Sequence, residues 1–128
     1  MSYHISRTVA LSFEDAVAKV ISGLKGEGFG VLTDIDVRAT LKEKLGVDFR
    51  KYRILGACNP RFAHEALAIE DRVGVLLPCN VVIQEHEPGR VEVSAVDPLS
   101  SMQVVGNPRL KGLGEKVREK LRAVIDAV

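Results

Sequence analysis

The apolar residues of this chain change their spacing several times along the sequence, and those changes constrain the fold more than any other feature. Tyr3, Ile5, Arg7 and Val9 alternate with His4, Ser6 and Thr8, a period of two that predicts an opening strand. From Ser12 the period lengthens. Phe13, Ala16, Val17, Val20, Ile21 and Leu24 recur every three or four residues, the stripe of a helix packed on one side. Ser12 is placed to cap that helix, and Asp15 suits the positive end of its dipole. Gly26 and Gly28 permit the left-handed conformations that end helices.

The same two periods return downstream. Gly30 to Ile35 reads as a strand with Val31, Thr33 and Ile35 on one face, and Asp36 then caps a short helix carrying Val37, Leu41 and Leu45. Gly46 ends it. Tyr52 to Cys58 is again strand-like, and Asn59-Pro60 sets a capping side chain before a residue whose fixed φ suits a first helical turn. The helix that follows carries Phe62, Ala63, Ala66 and Leu67. Val73 to Glu85 is long enough for one bent strand or two short ones, because Pro78 removes a ladder donor and belongs at an edge, bulge or break. Glu87-Pro88-Gly89-Arg90 is turn chemistry, so Val81 to Val96 reads as an antiparallel hairpin. Asn107-Pro108 opens a last helix with Leu110, Leu113, Val117, Leu121, Val124, Ile125 and Val128 on one stripe. The order is β-α-β-(short α)-β-α-β-β-α, an α+β chain expected to form a single domain over residues 1–128.

Composition narrows the class of partner. At 128 residues a chain buries roughly two-thirds of its unfolded surface, enough for one core. Its formal charge of +1 gives no global attraction to nucleic acid or anionic lipid. With no Trp, four Phe and two Tyr, it offers no evident platform for stacking bases. Neither nucleic acid nor membrane is therefore expected as a partner. The segment Met1 to Arg7 lacks the charged-then-apolar pattern of a secretion signal, and Val73 to Ile83 is too short and too broken to span a bilayer. The expected location is cytoplasmic. Cys58 and Cys79 are too few for a disulfide framework and are read as reduced thiols.

Four stretches carry a resemblance: GFGVLTDID from Gly28 to Asp36, YRILGACNP from Tyr52 to Pro60, LLPCNVV from Leu76 to Val82, and VSAVDP from Val93 to Pro98. Together they resemble the family catalogued as domain of unknown function 302. The resemblance implies an α+β domain similar to the TATA-binding-protein-like fold, with a curved, mainly antiparallel sheet, helices packed on one side, and a tendency to form a homodimer. It implies no activity and brings no catalytic residues, and likeness to a DNA-binding fold does not transfer DNA binding.

The polar residues set into apolar strands are the candidates for chemistry. Cys79 lies between Pro78 and Asn80, where the strand must break, and no basic residue lies within four positions to activate it. Cys58 sits before a helix start, where the dipole favours a thiolate, with Arg61 nearby. For both, burial as a small hydrophobe is the plainer reading. Helix capping accounts for Asn59 and Asn107 and leaves Asn80 without a local role. Cys58, Cys79, His4, His64, His86, Asp97 and Met102 follow no metal-ligand spacing, so no metal site and no cofactor are expected. The basic residues Arg109, Lys111, Lys116, Arg118, Lys120 and Arg122 read as the solvated face of the last helix. Gly26, Gly28 and Gly30 follow a helix instead of opening one, the wrong order for a phosphate cradle. The leading expectation is a non-catalytic domain binding a small ligand, its pocket built from Cys58, Asn59, Pro78, Cys79, Asn80 and Asp97. The alternatives are a thiol-dependent enzyme or sulfur carrier using Cys58 or Cys79, and a structural dimeric scaffold.

Overall fold

The computed structural model of the protein describes residues 2–128. Five strands, β1 (His4–Val9), β2 (Gly30–Asp36), β3 (Tyr52–Cys58), β4 (Cys79–Glu87) and β5 (Arg90–Val96), make one sheet. Its order is β1-β5-β4-β3-β2, antiparallel at every pairing. Five helices connect and cover it: α1 (Phe13–Gly26), α2 (Val37–Leu45), α3 (Pro60–Ile69), α4 (Pro98–Gln103) and α5 (Arg109–Asp126). The α+β class and the helices on one side of a curved sheet are as the sequence implies.

The local signals act through the bonds expected of them. Ser12 Oγ accepts from the Asp15 amide at 3.1 Å, and Asp36 Oδ1 accepts from the Ala39 amide at 2.9 Å, each occupying a helix-end donor that has no partner in the helix. The β4–β5 turn closes at Pro88-Gly89, where Gly89 adopts φ +79°, a conformation an L side chain disfavours.

Strand alternation then decides which residues meet the helices. On one face the register aligns Ile5 with Ala95, Ala95 with Val81, and Val81 with Leu55. Ile83, Val91, Val93 and Ala57 extend the same buried surface. Phe13, Ala16, Val17, Val20 and Leu24 of α1, with Val117, Leu121, Val124 and Ile125 of α5, pack onto it as one cluster. Burying a side chain of this size contributes about 1.5–3 kcal/mol, so this contact is the main source of stability. A second, smaller cluster joins Ala66, Val73, Met102 and Leu110 beneath α3 and α4.

Three readings need correction. Val73 to Leu76 is not strand: Asp71–Leu76 is a 3-10 helix, opened by Glu70 Oε1 accepting from the Arg72 amide at 3.2 Å. A period of three separates Val73, 1% exposed, from Val75, 86% exposed, where a strand would have aligned them. β4 begins only after Pro78, whose peptide with Leu77 is cis. Second, a bulge between Val31 and Thr33 leaves Leu32 without a register partner, so Val31 packs on the core cluster while Thr33 and Ile35 stay exposed with the outer face. Third, Pro98 to Gln103 is a short helix, α4, with the Asp97 carboxylate accepting from the Leu99 amide at 3.0 Å.

Candidate functional site

Between the two clusters the helices do not close on the sheet. The gap is a cavity of about 350 Å³, open to solvent on one side. Its wall takes Ala57 and Cys58 from the end of β3, Cys79 from the start of β4, Phe62 and Ala63 from α3, and Met102, Leu113 and Val117 from α4 and α5. Leu32 and Leu67, 67% and 43% exposed, lie at its rim. No charged side chain and no histidine contributes to the lining.

Two glycines allow close packing here, Gly114 at the cavity and Gly56 on the opposite face of β3. A Cβ on Gly56 would fall 2.1 Å from Thr33 Oγ1 and 2.8 Å from Pro78 Cγ, so only a bare backbone lets these two side chains close over β3. A Cβ on Gly114 would lie 3.3 Å from both the Leu99 Cα and the Pro98 carbonyl oxygen. The glycine thus admits the α4 backbone against α5.

The candidate residues divide between this cavity and other places. Cys58, Asn59, Pro78 and Cys79 all line it. Asn80 does not, because strand alternation turns it to the opposite, uncovered face, in a groove with Tyr52, Gln84 and Ser94. Asp97 is also elsewhere: it is 3% exposed, caps α4, and accepts from Arg118 Nε at 2.9 Å. An ion pair with a half-buried guanidinium explains a carboxylate that would otherwise be costly to bury. Asn59 makes no side-chain cap to α3. Its Nδ2 donates instead to the Glu27 carbonyl at 3.3 Å and lies 3.2 Å from where a Gly28 Cβ would sit, so Asn59 ties the α1–β2 turn to the start of α3. Asn107 does act at a helix start, accepting from the Arg109 amide at 3.0 Å.

Both cysteines are free thiols. Burial, with a smaller contribution from the neighbouring Cys58, pushes the Cys79 thiol up to about 11. It stays protonated at neutral pH, and the lining supplies no base to take its proton. Among the described residues no three His, Cys, Asp or Glu side chains gather to hold a metal ion, and no helix is long and apolar enough to cross a membrane. Sequence reading did not find Leu32, Gly56, Leu77 and Gly114. Only the two glycines, each inside a regular element where it weakens local structure, carried a signal.

A five-stranded antiparallel sheet with an apolar, thiol-bearing cavity under its helices defines a small α+β domain with a built recess. The chain belongs to the family domain of unknown function DUF302, which matches residues 5–128. It is similar to the crystal structure of an uncharacterized conserved protein DUF302 from Bacillus stearothermophilus, with 30% identity, 99% of this chain and 98% of that chain covered, and a TM-score of 0.92. No curated protein matches the chain.

Proposed function

We propose that the protein is a non-catalytic domain that binds a small, uncharged, apolar molecule in the cavity beneath α3 and α4. The observation that carries this reading is the lining itself, hydrocarbon and sulfur throughout apart from Asn59, whose amide donates to the Glu27 carbonyl. A charged ligand would be desolvated there without a counter-charge. At about 24 cal/mol per Å³, a sealed empty void of 350 Å³ costs roughly 8 kcal/mol. That is comparable with the ~5–15 kcal/mol that holds a whole domain folded, so a recess of this size has reason to persist only if open to solvent or filled. A thiol-dependent activity is less well supported, because the Cys79 thiol is held protonated and lacks a base.

The test is a thermal-shift and fluorescence titration with octanol, octanoate and a neutral naphthalene dye. Octanol and the dye are expected to bind and raise the melting temperature, by about 2.7 kcal/mol of stability at a hundredfold excess over Kd. Octanoate is expected to bind at least tenfold more weakly. Ala63→Leu, which fills the wall, should abolish dye binding without lowering stability. Failure of every apolar probe would refute the reading and leave a structural role.

Self-association belongs to the same proposal. Leu32 and Ile35 of the edge strand β2, with Leu45 and Val47 beyond it, are all more than 40% exposed, which supports a homodimer associating along that side; a single domain over residues 1–128 and a cytoplasmic location belong to the same proposal. Sedimentation of the wild type against Ile35→Asp decides it: a dimer converted to monomer is expected, and a wild-type monomer would refute it.

A further inference from the structure

The cavity holds one chemistry that an apolar ligand does not use. Its side-chain heteroatoms, apart from those of Asn59, are three sulfurs: the Cys58 and Cys79 thiols and the Met102 thioether. These residues lie 21 and 23 positions apart in the sequence, so no spacing motif could announce them, and the fold alone brings them to one wall. Cys79 pairs across the β3–β4 ladder with Ala57, the residue before Cys58. The two cysteines are thus diagonal neighbours on adjacent strands, with Cα atoms about 6 Å apart. Normal alternation would send them to opposite faces. Cys58 ends β3, where the chain turns into α3, and both residues line the same recess. Cys58 also stands two residues before the α3 N-terminus, whose positive dipole end favours negative charge on sulfur.

We propose that Cys58 and Cys79, with Met102 lining the same cavity, form a binding site for a soft monovalent cation, copper(I). Thiolate and thioether donors suit copper(I), while harder cations ask for carboxylate, carbonyl or several imidazole ligands, of which the lining provides only the single Asn59 amide oxygen. Among the described residues no third His, Cys, Asp or Glu joins the two thiols in a cluster, which argues against a closed zinc site, since such a site needs four of these donors. Copper(I) needs fewer. Binding replaces each S–H by an S–Cu bond and releases its proton to solvent, with no change of oxidation state. Two protons leave for each copper(I) bound, so affinity falls as pH falls, and the net charge of −1 on the complex is partly offset by the α3 N-terminus two residues beyond Cys58. The inference uses the cavity described above but does not depend on its taking an apolar molecule.

The experiment is an anaerobic titration of the reduced protein with copper(I) against bathocuproine disulfonate. One copper per chain is expected, with a sulfur-to-copper charge-transfer band in the ultraviolet. Cys58→Ala and Cys79→Ala should each lower the affinity by about 100-fold or more, beyond the 10–100-fold range of outer-shell changes, and Met102→Leu by less. Naphthalene-dye binding and circular dichroism report whether the variants remain folded. In the wild type, bound copper should protect both thiols from maleimide, a readout that needs no variant. Loss of all copper to the competitor, copper retained by the Cys58→Ala/Cys79→Ala double variant, or unprotected thiols in the loaded protein would each overturn the proposal. Dye binding without copper binding would sink this inference alone; copper binding without dye binding would sink only the apolar-ligand reading.

Discussion

The helix-covered side of the sheet has two ends that differ in kind. Over β1, β5 and the middle of β4, α1 and α5 interdigitate with the strands, and Val20, Leu24, Ile83, Val91, Val93 and Leu121 are fully buried. Over the ends of β3 and β4, α3 and α4 stand off, and about 350 Å³ is left open. Apolar residues dominate both regions. The difference lies in small residues: Ala57, Ala63, Ala66, Gly74 and Gly114 face the recess, where branched side chains would have filled it. The first region supplies stability, and the second spends packing on a space.

Large-to-small substitution should expose that contrast most strongly. Leu121→Ala, in the packed region, is expected to lower unfolding free energy by about 2–5 kcal/mol. Leu113→Ala, on the cavity wall, should lower it by only about 1 kcal/mol, because the side chain already borders open space. Equal losses by denaturant titration would erase the distinction between the two regions.

On the uncovered face of β3, behind the recess, Gly56 makes room for Thr33 and Pro78. Gly56→Ala forces a Cβ into Thr33 Oγ1 and Pro78 Cγ and is expected to destabilise by about 1–3 kcal/mol. Adding Thr33→Ala should recover part of that loss by removing the nearer clash. No recovery in the double variant would mean that Gly56 acts through backbone conformation and not through space.

A smaller, pH-dependent effect should come from Cys79. Its folded thiol is raised from the ordinary 9.0 to about 11 by burial, so the folded protein holds a proton that the unfolded chain gives up first. The contribution is fully present below pH 9 and is lost as pH rises toward 11, at ~1.4 kcal/mol for each unit. Stability measured from pH 8 to 11 should therefore fall more steeply in the wild type than in Cys79→Ala. Parallel curves would place Cys79 in contact with solvent.

Much of this contrast was legible in the sequence, and the illegible part has a physical cause. The stripes of α1 and α5 and the alternation of β4 and β5 repeat often enough to fix both partners of the packed region. The recess depends on departures from repetition. The bulge at Leu32, the 3-10 helix at Asp71–Leu76 and the short α4 each turn on a single residue's bonds or space, which periodicity does not register. Cys58, Asn59, Pro78 and Cys79 could be gathered because two strand ends meet there. Asn80 could not be assigned a face until β4 was seen to begin at Cys79, since a shift of one residue reverses every side chain. Asp97 looked like an available carboxylate because Arg118, its partner, is 21 residues away.

Mapping amide chemical shifts of the protein during an octanol titration tests the binding role of the recess most directly. Saturable shifts are expected at Cys58, Ala63, Gly74, Leu77, Cys79 and Leu113, with none at Ser6, Asn80, Gln84 or Ser94 on the uncovered face of the sheet. Shifts on that opposite face, or none that saturate anywhere, would contradict it.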